Sequence, residues 1–325
     1  MPKYLKPNLQ DLLDVMLGSR AASTARGYLQ AIGKFYGWCK KKKIPLVVPF
    51  SVPVVTLYLF ELTKKQGKSA SCIVQAHAAL KWLHSFFPSP GPNPLDSGIC
   101  ANVVESAKRS RSTPIQKKKP LSVSVIKEII NAYGGEDANL KDLRLATLCG
   151  LGFSGFLRFN ELSCIRPLDL SFEKDHLKIF IRKSKTDIYR KGNVVFIART
   201  FSKYCPVALL ERYMKLGGIS LSSDLALFRS ISSTKRGFVL RPSSLSYSRC
   251  RELLKECLKA LGYNCKEYGL HSLRSGGASS AVAGDRSISE RLLKLHGRWK
   301  SDICKDMDIL ESVNNRLQVS RSLSL

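Results

Sequence analysis
Apolar side chains return every three or four positions through the first third of the chain, and that spacing predicts a small helical bundle over residues 8 to 110. One helix opens with Ser23 or Thr24 as its cap and buries Tyr28, Ile32, Phe35, Tyr36 and Cys39. Lys40, Lys41, Lys42 and Lys43 close its C-terminal end, where positive charge suits the helix dipole. A second helix covers Pro53 to Lys65. A third runs from Ser69 to Phe87 on a stripe of Ile73, Ala76, Leu80, Leu83 and Phe87, and Pro88, Pro90, Pro92 and Pro94 stop it.

The pattern then changes. Lys108-Arg109-Ser110-Arg111 through Lys117-Lys118-Lys119-Pro120 is polar, basic and flanked by proline, the composition of a linker between domains. Beyond it Val125 to Tyr133 and Leu140 to Leu151 read as helices, the second interrupted by Gly150, Gly152 and Gly155. Leu177 to Ile181 and Asn193 to Ile197 are short β-rich runs around a charged turn, a hairpin signature. Helical spacing returns at Cys205 to Leu216, Ser244 to Leu261, Arg274 to Ala283 and Ile288 to Leu295. The fold class expected is mainly α with one small antiparallel β-sheet.

Composition sharpens this picture at three points. With 325 residues, 44% of them hydrophobic, the chain can fill a core in each of two domains. No apolar run reaches the length of a membrane span, and Met1 to Gln10 lack the apolar stretch of a signal peptide. No membrane partner is expected, and the protein belongs inside a cell: the nucleus, or the cytoplasm of a prokaryotic host. Ten cysteines stand singly, with no C-x-x-C pair, which predicts reduced core residues and no metal site.

Charge points to the partner. The chain carries 53 Lys+Arg against 25 Asp+Glu, a net +28, of which residues 1 to 120 hold 19 basic and 5 acidic side chains. The excess is shared between the two halves rather than confined to a tail, as expected of two surfaces that face a polyanion. Charge alone leaves DNA and RNA equally open.

Four separated pieces of the second half carry candidate chemistry. Arg158 and Glu161 lie three apart in Gly155-Phe156-Leu157-Arg158-Phe159-Asn160-Glu161-Leu162, a spacing that puts both on one helical face. Lys183 and Lys185 sit in the turn of the hairpin. His271-Ser272-Leu273-Arg274 is an H-x-x-R, and Gly297-Arg298-Trp299 follows the last predicted helix. Singly, each also fits a plain structural role: a surface ion pair, a solvated lysine, a chance motif, a Trp-anchored turn.

Their order resembles the tyrosine recombinase or phage integrase family, and the resemblance covers essentially the whole chain. It implies a helical core-binding (SAM-like) domain over residues 1–107, a basic linker at 108–120 and a tyrosine recombinase catalytic domain over 121–325, the two domains clamping double-stranded DNA as a homo-oligomer, a dimer or tetramer. Ser23, Thr24 and Tyr28 give the first domain its S-T-x-x-x-Y opening, and the segment from Ile309 to Leu323 looks closest to versions carried by eukaryotic mobile elements. Lys40 to Lys43, Arg109, Arg111 and Lys117 to Lys119 are the DNA-binding candidates.

The resemblance also assigns roles. Arg158 and Arg274 would hold the scissile phosphate, because planar guanidinium forks answer the charge that builds on its oxygens. Lys185, with Lys183 as the second choice, would protonate the departing 5′ hydroxyl. His271 would manage the nucleophile's proton, Glu161 would steady the site, and Trp299 would donate its indole N–H. No cofactor or metal is called for.

The nucleophile departs from the pattern. The family's tyrosine stands about nine residues beyond the His/Trp position, where this chain has Asp308, and no tyrosine follows Tyr268. A carboxylate would form an unstable acyl phosphate and repel DNA. Tyr263 and Tyr268, the nearest phenols, precede the H-x-x-R and are poor replacements. A substitution made to trap a non-cleaving complex and a natural loss of activity both fit. Two functions therefore stand: site-specific recombination or integration with cleavage lost at Asp308, and a DNA-binding module that does no chemistry. An RNA-binding role rests on charge alone.

Overall fold
In this computed structural model, which describes residues 6–65, 67, 69–87, 91–113, 116–184, 187, 189–235, 237–284, 288–310 and 317, the chain divides into two units, Met1–Gln116 and Lys117–Leu325. The division falls inside the basic segment.

The first unit is helical: α1 (Lys6–Leu17), α2 (Ala22–Lys41), α3 (Val52–Lys64), α4 (Ala70–His84) and α5 (Gly98–Arg111). Phe35 on α2 is fully buried, edge-on to Phe50 at 4.8 Å and to Tyr58 of α3 at 5.0 Å. Ile32 and Cys39 lie one turn to either side, on the predicted stripe.

Three boundaries differ from expectation. Helix α2 starts at Ala22, with Ala21 as a cap that makes no side-chain bond, so Ser23 and Thr24 sit inside the first turn rather than capping it. Helix α4 ends at His84, short of Phe87, while Pro94 opens a 3-10 turn; Pro88 and Pro90 lie outside the described residues. Helix α5 extends through Arg111, so Arg109 and Arg111 belong to the bundle and not to a linker. Ser97 caps it by accepting from the Cys100 N–H, while the Arg111 guanidinium donates to the carbonyls of Thr63 and Lys65 at the end of α3.

The second unit holds α6 (Val123–Tyr133), α7 (Leu140–Ser154), the single turn α8 (Phe159–Leu162), β1 (Leu170–Phe172), β2 (His176–Ile181), β3 (Asn193–Ala198), α9 (Pro206–Leu216), β4 (Arg229–Thr234), β5 (Gly237–Ser244), α10 (Tyr247–Ala260), α11 (His271–Gly284), α12 (Glu290–Gly297) and α13 (Asp302–Asp308). Helix α7 is its axis, buried from Leu143 through Gly152. Gly150 and Gly152 do not break this helix, whereas Gly155 caps its end. Gly152 continues it with no side chain because a Cβ there would stand 3.1 Å from Leu273 of α11 and 3.3 Å from Leu162.

Strands β1, β2 and β3 form an antiparallel sheet in that order, with Leu177 opposite Ile197 and Ile179 opposite Val195, all four buried. There are two sheets among the described residues, not one. The second is the antiparallel hairpin β4–β5, and it displaces the predicted start of the next helix: Ser244 ends β5, and Ser246 caps α10 at Arg249. The hairpin was hidden because its segment, Arg229 to Ser244, is mostly polar and exposed and lacks the alternation of a half-buried strand.

The cysteines are free, but not all are core residues: Cys164 and Cys304 are exposed, and Cys72 and Cys265 half-buried. No helix among the described residues is long and apolar enough to cross a membrane.

Candidate functional site
The second unit gathers its candidate residues where the ends of α7, α11, α12 and α13 converge. Helix α11 begins at His271 rather than Arg274, so His271 and Arg274 stand one turn apart on the same face of its first turn. Arg274 has no exposed side-chain surface. Its guanidinium lies 4.5 Å over the Trp299 ring and spends its terminal nitrogens on backbone carbonyls, Phe156 and, at 2.6 Å, Gly297. The fork that the resemblance assigns to the scissile phosphate is therefore turned inward. Only its Nε points along the site.

That Nε donates to Asp308 Oδ2 at 2.7 Å. The Trp299 indole N–H donates to the same oxygen at 2.7 Å, and His271 Nε2 lies 2.7 Å from Oδ1. Burial would raise the Asp308 pKa, but these bonds overcome it and hold the carboxyl well below its ordinary value, with Arg274 adding direct attraction. Arg274 is itself pushed down to about 10, by burial first and by the neighbouring Arg158 second, against the pull of Asp308.

Arg158 precedes α8 as its cap residue instead of sitting on a helix. Its backbone N–H and its guanidinium both donate to Glu161, each at 3.0 Å. Glu161 has no exposed side-chain surface and also receives Arg298 Nη2 at 2.9 Å. Burial would raise its pKa, but Arg298, the Arg158 backbone N–H and the Arg158 charge together lower it.

Arg298 was not singled out by sequence, though it belongs to the frame. It adopts the left-handed conformation at φ 55° that ends α12, and its guanidinium reaches Gly155 O at 3.1 Å, His296 O at 2.6 Å and Phe156 O at 2.9 Å. The signal for this turn is Gly297: a Cβ there would lie 1.8 Å from a Trp299 ring carbon, so only glycine lets the ring fold back. Lys305 on α13 was missed as well. It is 5% exposed and meets Glu290 at 3.0 Å, Asp306 at 3.6 Å and Asp302 at 3.7 Å, tying α13 to α12.

Lys185 is outside the described residues; Lys183 is exposed just after β2. Lys40, Lys41 and Lys43 are exposed at the end of α2, and Lys42 pairs with Glu61 at 2.9 Å. Arg109 pairs with Glu105 at 3.5 Å. Lys117 to Lys119 are bound to the second unit instead of spanning freely: Lys117 Nζ donates to Met307 O at 3.1 Å, Lys118 Nζ to Lys266 O at 2.5 Å, and Lys119 pairs with Glu267 at 2.6 Å. Tyr263 donates its phenol to Glu128 at 2.8 Å and stands edge-on to Tyr268, away from these contacts.

No family model matches the chain. Among curated proteins it is similar to an integrase/recombinase XerD homolog of Selenomonas ruminantium, 24% identical over 269 residues that span 82% of this chain and 76% of the relative. Among solved structures it matches the site-specific recombinase XerH bound to palindromic difH substrate, with a TM-score of 0.63 at 15% identity over 92% of this chain and 79% of the other. The integrase of transposon Tn1549 in complex with transposon right end DNA matches at 0.58 and 15%, over 94% of both chains. The fold is that of the tyrosine recombinases.

Proposed function
We propose that this chain binds double-stranded DNA as a recombinase of its family does and that, as written, it does not cut it. The observation that carries the reading is the placement of Asp308. It stands nine residues beyond Trp299, where the family has its tyrosine, and it meets His271, Arg274 and Trp299 at once, each at 2.7 Å. In a tyrosine-bearing version those three groups and Arg158 would hold the scissile phosphate, with Lys185 or Lys183 protonating the 5′ hydroxyl. Glu161 and Arg298 are positioning residues that fix the loop below. Such a version would perform site-specific recombination or integration as a homo-oligomer on DNA; with aspartate in its place, the chain is a binding module. The net charge of +28 supports binding, as does the likeness to two solved structures, the XerH recombinase bound to difH substrate and the Tn1549 integrase in complex with transposon end DNA.

The test of binding is the salt dependence of affinity for a mixed-sequence duplex. With about six phosphates neutralised, affinity should fall roughly a thousandfold between 50 and 200 mM salt. A salt-insensitive affinity would remove the reading. Arg158→Ala should leave that affinity within about threefold, because many other cations contribute, yet abolish strand cleavage in a chain that also carries Asp308→Tyr, because a contact specific to the transition state is lost.

A further inference from the structure
We propose that Asp308 is an internal stand-in for a phosphate: its carboxylate occupies the anion cradle formed by His271 Nε2, Arg274 Nε and Trp299 Nε1, and a phosphodiester enters only by displacing it. The inference rests on the DNA-binding reading and adds its regulation.

Three donors converging at 2.7 Å on one carboxylate form a site with the chemistry of an oxyanion receptor. All three lie outside α13, His271 and Arg274 on α11 and Trp299 ahead of the Ser301 cap. Charge balance favours exchange over joint occupancy. Around the site three guanidinia, Arg158, Arg274 and Arg298, face two carboxylates, Glu161 and Asp308. A phosphodiester carries one negative charge, the same as Asp308, so a swap keeps the balance around buried Arg274. Both anions together would repel each other within a few ångströms in a site largely shielded from water.

The carrier of the plug is suited to withdrawal. Helix α13 has seven residues, and the only one buried is Lys305. Ile303 is 74% exposed and Met307 58%, so the one apolar anchor at this end is Ile309, the residue that caps the helix, which packs half-buried against Phe156, Ala278, Leu293 and Trp299. Its polar ties are the Lys305 ion pairs, the Lys294–Asp302 pair at 3.1 Å, Ser301 capping Cys304, Lys117 on the Met307 carbonyl, the Leu310 N–H donating to Ser279 Oγ at 2.8 Å, and the plug itself. Few buried apolar contacts mark an element that opens locally at low cost. Because the cradle holds the carboxyl so far below its ordinary value, protonation at neutral pH does not release it. Competition by another anion does.

The experiment compares the full chain with Asp308→Asn and with Asp306→Asn, which makes the same change of charge two residues away on an exposed position of the same helix. Duplex affinity is read by fluorescence anisotropy at fixed salt, and melting temperature is read with inorganic phosphate against chloride at matched ionic strength. If the plug fills the cradle in about 90 to 99% of molecules, Asp308→Asn should bind duplex roughly ten- to a hundredfold more tightly than Asp306→Asn. Phosphate should raise the melting temperature of Asp308→Asn alone. Equal gains from the two variants, with no phosphate effect, overturn the plug, and steep salt dependence in that same experiment leaves the DNA reading standing. Phosphate protection of Asp308→Asn with no duplex binding by any form supports the plug and removes the DNA reading. Should Asp308→Asn fail to fold, Lys305→Met gives the answer. It loses a positive charge, which alone would weaken DNA binding, so tighter binding on loosening α13 supports the plug and weaker or unchanged binding overturns it.

Discussion
Arg274 and Asp308 meet at 2.7 Å where the guanidinium has no exposed surface and the carboxyl side chain is 11% exposed. Removing one member of such a pair leaves the other buried and uncompensated. Asp308→Asn retains one acceptor for Arg274 and Trp299 but not the charge, so it should cost about 2 to 4 kcal/mol at neutral pH. The sign of the pH dependence follows from the depressed carboxyl. Its folded pKa is below the unfolded value of about 4, so its stabilisation is complete above that pH and drains away as the pH falls below it. Chemical denaturation from pH 7 to pH 2 should therefore show a constant gap between the parent chain and Asp308→Asn down to about pH 5, closing at lower pH. A gap that widens in acid would show that Asp308 does not carry its charge in the folded site.

At the scale of elements, the end of α12 is the part least tolerant of change. Gly297→Ala would drive a methyl group into the Trp299 ring, which must leave its place over Arg274 and lose its bond to Asp308. The expected cost is roughly 1 to 3 kcal/mol, with a red shift in tryptophan emission as the indole meets water. An unchanged denaturation midpoint and emission would mean that the ring is not packed as described. This turn also shows how far sequence reading reaches. Helical stripes such as Ile32, Phe35 and Cys39 were legible because burial on one face writes a period into the chain. His271, Arg274 and Trp299 were legible as a motif. Arg298 and Lys305 were not, because their roles depend on carbonyls and carboxylates that only the fold brings near, Gly155 O being 143 positions away. Nor could sequence show that Arg274 faces inward or that α5 runs through Arg111, since basic residues look alike in a linker and in an exposed last turn.

For the whole molecule, the basic segment is shorter as a connection than its composition suggests. Arg111 belongs to the first unit and Lys117 to the second, with Lys118 and Lys119 already bound to the second. Limited proteolysis should therefore cut first between residues 112 and 116 and leave two folded fragments, each binding duplex more weakly than the intact chain because linkage gives them a high effective concentration for one another's site. Fragments that aggregate, or first cuts elsewhere, would place the boundary wrongly. The central claim, that a recombinase site lacks only its nucleophile, is tested most directly by covalent capture. The parent chain and Asp308→Tyr are each incubated with a randomised pool of nicked duplexes and resolved under denaturing conditions. The parent should give no adduct, and Asp308→Tyr should give a denaturant-resistant protein–DNA band, a 3′-phosphotyrosyl bond that protease digestion removes. An adduct formed by the parent chain, or none from Asp308→Tyr on duplexes it binds, would contradict the account.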